Sequence, residues 1–260
     1  MLALAGVLVC ASLSLGALAL PCPAEATPLV TFKAEPVPLP GYPHTGFILG
    51  AGTALEAEYR ISGTEYGGFP PPLTGITFYL PAGVVLHPQG FPTCPPRTLE
   101  PSGRGPKACP PGSAAGPPGE VTGYVAFGTE VVPETARVES FYAPGGGLVF
   151  FTFGHSPVLV EILSKGRYVP AGGIFGKKLE SEIPLVETVP GAQDASVKSI
   201  KVKVGSAIRV HGRPVFYGRL PQRCPVSGNL PVKTEVHFAG LGGLPPQTVT
   251  VEYKAPCPRR

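Results

Sequence analysis

Apolar and polar residues alternate along many short stretches of this chain. In residues 54–61 the side chains of Leu55, Ala57 and Tyr59 fall on one face of an extended strand, and the charged side chains fall on the other. A period of two is typical of an antiparallel strand with one face on a core and one in solvent. No stretch beyond the N-terminus has a convincing helical period. We predict strands at residues 29–33, 54–61, 73–80, 120–127, 136–142, 147–153, 158–163, 177–189, 196–204, 210–220 (broken by Gly212 and Pro214), 232–238 and 248–253.

Turn residues separate these strands at short intervals. The chain contains 35 Gly and 35 Pro, and Gly- or Pro-rich turns stand between most neighbouring strands. This spacing predicts an all-β fold, a two-layer antiparallel β-sandwich of about a dozen strands. In residues 147–153, Phe150, Phe151 and Phe153 leave little polar surface. We therefore expect this strand to be central and covered on both faces.

A long proline-rich loop follows the strand at residues 73–80. Ten prolines fall between Pro88 and Pro118, and a segment with so few backbone donors is expected to form neither a helix nor a central strand. Loops of about thirty residues are uncommon unless they are functional, cross-linked or disordered. Because Cys94 and Cys109 lie in it, we predict that a disulfide holds this loop against the sandwich.

The N-terminus, residues 1–26, is apolar and ends in small residues, which is typical of a secretory signal peptide. A membrane anchor is the alternative, because the length suffices to span a bilayer. We expect residues 27–260 to form a single β-sandwich domain, with a sub-division near residue 190 as the alternative. Cleavage after Ala26 leaves four cysteines: Cys94, Cys109, Cys224 and Cys257.

Four cysteines allow three pairings, and the sequence does not formally choose among them. The simplest joins Cys94 to Cys109 and Cys224 to Cys257, because each pair then brackets one local segment. Disulfides of this kind fit an exported protein. A zinc site is disfavoured because the chain has no Cys-x-x-Cys motif. The histidines are isolated, so neither a metal nor another cofactor is expected.

Positive charge is concentrated in the C-terminal part of the chain. From residue 191 onward there are eleven Lys and Arg against three acids, whereas residues 27–190 hold ten against thirteen. A basic region predicts an anionic partner such as a cell-wall polymer or glycan. The alternative is a solvated sheet edge without a ligand, and nucleic acid is not expected. The candidate residues are Lys198, Lys201, Lys203, Arg209, Arg213, Arg219 and Arg223.

Two pairs of carboxylates have a spacing that glycoside hydrolysis can use. Glu56 and Glu58 share one strand face, and so do Glu180 and Glu182. Same-face neighbours lie about 7 Å apart along a strand, which is compatible with an inverting pair and equally with any polar sheet face. The Gly-His-Ser-Pro-Val run at residues 154–158 resembles a hydrolase nucleophile elbow. A strand follows it instead of a helix, so we predict a hairpin turn there.

One pattern of strand, turn and cysteines runs through residues 76–116. It consists of Ile-Thr-Phe-Tyr-Leu-Pro-Ala-Gly at residues 76–83, His87-Pro88, Cys94 and Cys-Pro-Pro-Gly-Ser-Ala-Ala-Gly at residues 109–116. In this pattern the chain resembles repeated modules of secreted actinobacterial proteins of uncharacterised function. Those modules have an alternating strand ending in Leu-Pro-x-Gly, a turn, a cysteine and then Cys-Pro-x-x-Ser-x-x-Gly. The resemblance implies export, a high-GC Gram-positive source and a β-sandwich, and it implies no activity.

These observations predict a secreted, non-enzymatic β-sandwich protein. We expect it to act in the cell envelope or outside the cell, by binding or as a structural surface, without stable membrane insertion after signal cleavage. The alternative is a carbohydrate-active enzyme on a lectin-like sandwich, which would use one of the two glutamate pairs.

Overall fold

A computed structural model describes residues 27–100, 103–240, 243 and 245–258. The predicted signal peptide lies outside the described residues. The fold is all-β, and thirteen strands belong to one antiparallel sheet while two form a separate small one. The strands are β1 Leu29–Val37, β2 Gly52–Ser62, β3 Leu73–Pro81, β4 Val85–Leu86, β5 Gly119–Phe127, β6 Glu130–Tyr142, β7 Leu148–Gly154, β8 Val160–Pro170, β9 Phe175–Glu182, β10 Ser196–Val204, β11 Ala207–Val210, β12 Arg213–Phe216, β13 Gly218–Arg219, β14 Asn229–Phe238 and β15 Gln247–Pro256.

The large sheet curls until its two edge strands meet. Its order is β1-β2-β10-β5-β6-β7-β8-β9-β3-β14-β15, with β13 and β4 added beside the start of β2. At the meeting line, the Tyr253 hydroxyl of β15 donates a 2.8 Å hydrogen bond to the Glu35 carboxylate of β1. The ring of Phe32 lies 6.3 Å from that of Tyr253. One rolled sheet therefore supplies both layers of the predicted sandwich.

Side chains from the two layers meet in the core between them. The Phe32 ring of β1 packs edge-on against Phe78 of β3, with 5.8 Å between centroids. The Tyr59 hydroxyl of β2 lies 3.3 Å from the Thr234 hydroxyl of β14. Because these pairs are far apart in sequence, burial of apolar area across the layers fixes the roll of the sheet. The all-β antiparallel prediction is confirmed.

The described part of the proline-rich loop, here called the flap (residues 87–100 and 103–118), covers the outer face of β6 to β8. The disulfide between Cys94 and Cys109 is present, as is that between Cys224 and Cys257, so the neighbour pairing is confirmed. Cys94 packs with Phe151 in a buried cluster. Its backbone N–H donates to the Tyr142 carbonyl at 2.8 Å. Strand β7 is therefore central and covered on both faces, as predicted.

The flap contains one helical turn that the sequence analysis excluded. Residues Pro96–Leu99 form a four-residue helix, α1, with proline in its first turn. Backbone N–H groups in the first turn of a helix have no acceptor within the helix, so the missing N–H of proline breaks no hydrogen bond there. The fixed φ of proline also suits that position. Leu99 is buried by this turn, so the local helix serves to place an apolar side chain against the sheet. The prediction of no helix in this loop was wrong.

The predicted strand at residues 210–220 is instead a hairpin followed by a short strand. Strands β11 and β12 pair with each other, and His211 and Gly212 join them with φ values of 50° and 75°. Two consecutive positive φ values are typical of a type I′ turn, which matches the twist of a hairpin. Strand β9 ends at Glu182, earlier than predicted, and pairs with β3 and β8.

Strands from both sides of residue 190 belong to the same sheet. β3 lies between β9 and β14, and β10 lies between β2 and β5. No helix among the described residues is long and apolar enough to cross a membrane.

Candidate functional site

The space inside the rolled sheet is not filled by side chains. A cavity of about 200 Å³ lies between the layers, and its wall is almost entirely apolar. Ile76 of β3, Leu179 of β9 and Val202 of β10 line this space and are only half-buried. Inward-facing side chains of a closely packed core are normally fully buried. The accessible surface of these three therefore faces the cavity.

The cavity occupies one half of the interior. Leu73 of β3 and Val236 and Phe238 of β14 are buried outside its lining and fill the other half. At the cavity end, the wall is completed by Leu86 of β4 and by Leu220, which follows β13. One half of the interior is therefore packed with side chains, and the other half contains the cavity.

Among the described residues, seven that carry a hydroxyl line this apolar space, and four of the seven lie on the adjacent strands β7, β8 and β9. Thr152 of β7, Ser164 and Tyr168 of β8, and Ser181 of β9 line the cavity on adjacent strands. Within the part of the chain that the structure describes, none of these hydroxyls hydrogen-bonds another residue. Buried polar groups in folded proteins nearly always have a partner. This wall therefore offers hydrogen bonds to a molecule inside the cavity.

Tyr168 contributes a neutral hydroxyl to this wall. Burial raises the pKa of Tyr168 well above its ordinary value, and the neighbouring Tyr217 and Tyr142 raise the pKa further. A phenol that stays protonated can donate one hydrogen bond and accept another. Tyr168 is therefore suited to an uncharged carbonyl, hydroxyl or ether oxygen on a ligand.

The other two tyrosines of this cluster have partners, and of these two Tyr217 lines the cavity while Tyr142 packs behind it. The rings of Tyr142 and Tyr217 stack with 4.1 Å between centroids. The Tyr142 hydroxyl lies 2.8 Å from the Ser206 hydroxyl, and the Tyr217 hydroxyl donates to the Gly146 carbonyl at 3.1 Å. Burial raises the pKa of Tyr217 to about 12. Their hydrogen bonds hold both rings, in contrast to the unpartnered hydroxyl of Tyr168.

The pair of strands β4 and β13, here called the cap, closes the cavity at one end of the sheet. Leu86 lies opposite Gly218, and Val85 lies opposite Arg219. Leu86 and Gly218 line the cavity, whereas Val85 and Arg219 are exposed. The cap is therefore one strand thick, with the cavity on its inner side and solvent on its outer side.

The basic residues predicted to bind an anionic ligand lie in two groups. Lys201 and Lys203, on β10, lie 3.5 and 3.2 Å from the Glu56 carboxylate of β2, so a neighbour partly compensates their charge. Lys198 is exposed on the same strand. The second group lies between β10 and β14 and consists of Arg209, Arg213, Arg219 and Arg223, all exposed.

The glutamates proposed for catalysis form ion pairs with neighbouring cations. Glu58 lies 2.8 Å from Arg60, and Glu180 lies 2.8 Å from Lys178. A hydrogen bond from Lys178 lowers the pKa of Glu180, and Lys203 and Lys201 lower the pKa of Glu56 although burial opposes them. A general acid in glycoside hydrolysis needs a raised pKa. Glu182, the partner of Glu180, is exposed.

The Gly-His-Ser-Pro-Val run forms a turn between two strands. β7 ends at Gly154 and β8 begins at Val160, so the predicted hairpin connection is confirmed and no helix follows Ser156. The backbone N–H of Val158 donates to the buried Glu134 carboxylate at 3.2 Å, which anchors the turn. Among the described residues, no group of three His, Cys, Asp or Glu is placed to hold a metal ion.

The sequence analysis did not identify the cavity or its hydroxyls. A usable signal was present, because Thr152, Ser164 and Ser181 occupy inward positions on strands whose other inward residues are largely apolar. Three polar residues on the core face of adjacent strands are unusual unless they have a buried partner.

Comparison of the chain with protein-family models, with curated proteins and with solved structures gave no match. The resemblance to secreted actinobacterial modules therefore stays a prediction. The fold and the site define an all-β protein with two disulfides, which fit an extracellular protein, and with an apolar interior cavity.

Proposed function

We propose that this chain is an exported, non-enzymatic binding protein that holds a small, mostly apolar molecule inside its rolled sheet. The observation that carries the proposal is that four hydroxyls in the wall of the cavity have no hydrogen-bond partner within the described part of the chain. Apolar walls with a few placed polar groups are the usual form of small-molecule sites, where the polar groups fix orientation.

The size of the cavity limits the ligand. At about 200 Å³ it is larger than the ~150 Å³ apolar cavity that admits benzene and smaller than the pockets of about 300 Å³ or more that hold drug-sized molecules. A compact hydrocarbon skeleton with one uncharged oxygen fits both the volume and the wall. Charged ligands are disfavoured because, among the residues that the structure describes, no charged side chain lines the cavity to compensate them.

Export is supported by the cysteines and by the N-terminal sequence. Both disulfides join cysteines that remain after the predicted signal is removed, and disulfides persist in oxidising compartments. An extracellular binding protein needs no catalytic group. The alternative, a carbohydrate-active enzyme, is weakened because Glu56, Glu58 and Glu180 each form an ion pair with a neighbouring cation.

Binding of cyclohexanone, a compact neutral molecule with one carbonyl oxygen, tests the proposal. Calorimetric titration of the wild-type chain should show saturable binding at one site. Val202→Phe places a ring inside the cavity and should weaken binding at least tenfold. The matched change Val210→Phe, at an exposed position of β11, should leave binding unchanged.

Equal affinity of both variants would show that the probe binds elsewhere and would overturn the cavity assignment. A parallel screen for glycoside hydrolysis separates the two functions. Turnover that disappears in Glu180→Gln would overturn the proposed binding function and would show that the chain is a carbohydrate-active enzyme.

A further inference from the structure

The antiparallel register divides the loops between two ends of the rolled sheet. At one end lie the segments that follow β1, β6, β8 and β10 and the first part of the connection after β3. We call this the arginine end, defined as residues 38–51, 82–91, 143–147, 171–174 and 205–228. The opposite end consists of residues 63–72, 128–129, 155–159, 183–195, 239–240, 243 and 245–246.

The two ends carry opposite charge. The segments of the arginine end contain Arg209, Arg213, Arg219 and Arg223 and no Asp or Glu. All four arginines are exposed. The segments of the opposite end contain Glu65, Glu187 and Asp194 and no Lys or Arg. A charge separation of this kind along one axis orients a molecule in the field of a charged surface.

The arginine end also exposes large apolar side chains beside its cations. Phe47 is 57% exposed, Ile48 47% and Val85 44%. The loop that carries Phe47 and Ile48 is joined to the arginine segment by backbone hydrogen bonds, from Gly50 to the Pro221 carbonyl and from Leu220 to the Ala51 carbonyl, both 3.0 Å. Val85 is the register partner of Arg219 in the cap.

We propose that the arginine end docks this protein on an anionic lipid surface, with Phe47 and Ile48 entering the headgroup region. Clustered basic residues are attracted to anionic lipids, and exposed apolar side chains among them add burial at the boundary of the acyl chains. A soluble anionic polymer would satisfy the arginines and leave Phe47, Ile48 and Val85 in water, so the lipid surface is favoured.

The cap lies between the cavity and the outer surface of the arginine end. Leu86 faces the cavity while Val85, the preceding residue, faces outward. A docked molecule therefore holds the cavity one strand away from the lipid. Docking itself does not depend on the proposed ligand, because Arg219 and Arg223 and the exposed loop lie outside the cavity.

Tryptophan fluorescence tests the proposal, because the chain has no natural Trp. Phe47→Trp reports on the arginine end, and Phe127→Trp, at a residue 55% exposed beside the opposite end, is the matched control. Phosphatidylcholine vesicles containing phosphatidylglycerol should shift the emission of Phe47→Trp to the blue and leave Phe127→Trp unchanged. Vesicles of phosphatidylcholine alone should give a much smaller shift.

Removing charge should weaken the docking by a stated amount. Each arginine near an anionic surface contributes about fivefold to affinity, so adding Arg219→Gln and Arg223→Gln to the Phe47→Trp chain should raise the apparent Kd at least tenfold. Higher salt should also raise the apparent Kd. Binding of cyclohexanone to these variants should not change, which keeps this test separate from that of the proposed function.

Three results would overturn the docking proposal. The first is an unshifted Phe47→Trp emission with anionic vesicles, and the second is an equal shift in Phe127→Trp. The third is salt-sensitive binding to soluble polyphosphate without binding to vesicles, which would assign the arginines to an anionic polymer.

Discussion

The Tyr253 hydroxyl donates a 2.8 Å hydrogen bond to the Glu35 carboxylate across the line where β15 meets β1. Lys33 lies 3.0 Å from the same carboxylate. The other neighbouring long strands are joined by backbone ladders, but in the described chain this line is joined by side chains. The closure of the sheet therefore depends on a few identifiable contacts.

Tyr253→Phe should lower the free energy of unfolding by about 1 kcal/mol at neutral pH, because a hydrogen bond to a charged group is lost. Tyr253 and then Lys33 lower the pKa of Glu35 below its ordinary 4.5. A lowered folded pKa means that this stabilisation is present above the unfolded pKa and is lost as pH falls through the folded pKa. Urea unfolding of both chains at several pH values measures this.

The difference between wild type and Tyr253→Phe should therefore shrink in acid. Glu35→Gln should behave as Tyr253→Phe does and should add little to it in the double variant. A difference that stays constant from neutral pH to about pH 3, below the ordinary range of a glutamate, would contradict the role assigned to the Glu35 carboxylate.

Overpacking should distinguish the hollow half of the interior from the solid half. Val236→Phe enlarges a fully buried side chain in the filled half and should cost about 1–3 kcal/mol. Val202→Phe extends into the cavity and should cost less than about 1 kcal/mol, because space is already present. Thermal or urea unfolding compares the two, and equal costs would mean that the cavity is not open.

The strands were largely predictable, because alternation such as that of Leu55, Ala57 and Tyr59 reports which face is buried. Alternation cannot reveal whether inward side chains touch one another. Val202 and Val236 both alternate with polar residues, yet one borders an open space and the other is fully packed. The volume between strands distant in sequence decides this, so the cavity was missed.

The charge of the two ends was missed for a related reason. Counting along the chain placed positive charge in its C-terminal part, but antiparallel connections send successive loops to opposite ends. Asp194 and Arg209 are close in sequence and belong to opposite ends of the sheet. The α1 turn was missed because a proline such as Pro96 is compatible with the start of a helix.

Replacing Cys94 and Cys109 by alanine should loosen the flap without unfolding the rolled sheet. The pair closes a 15-residue separation, for which loop entropy gives about 3 kcal/mol, and Cys94 is fully buried against Phe151. Amides of the flap should exchange with solvent faster, whereas amides of β2 and β3 should keep their protection.

The Cys224→Ala/Cys257→Ala variant is the comparison, because it removes a disulfide that lies outside the flap. In this variant, hydrogen exchange should show that the amides of the flap keep their protection. Equal exposure of the flap in both double variants would contradict the assignment of the Cys94–Cys109 bond as the one that holds it.

Tyr168→Phe should leave the stability of the protein unchanged or slightly raised, because its hydroxyl has no partner among the described residues and sits in an apolar cavity. Tyr217→Phe should lower stability by about 1 kcal/mol, because its hydroxyl donates to the Gly146 carbonyl. Unfolding of the two variants tests this contrast.

The same Tyr168→Phe variant should alter ligand preference. A cyclic alcohol or ketone should lose affinity relative to the hydrocarbon of the same shape, since only the oxygenated ligand uses the hydroxyl. Calorimetric titration with such a matched pair of ligands gives the ratio of their two affinities. An unchanged ratio would remove Tyr168 from the binding site.

The meeting of β1 and β15 also bears on how this protein behaves at high concentration. An open sheet presents two rows of unpaired N–H and C=O groups, which act as templates for foreign strands and for amyloid growth. Here Phe32 and Tyr253 bring the two rows to face each other, so each shields the other. A protein built almost wholly of strands is in this way protected against edge-to-edge association with other copies of itself.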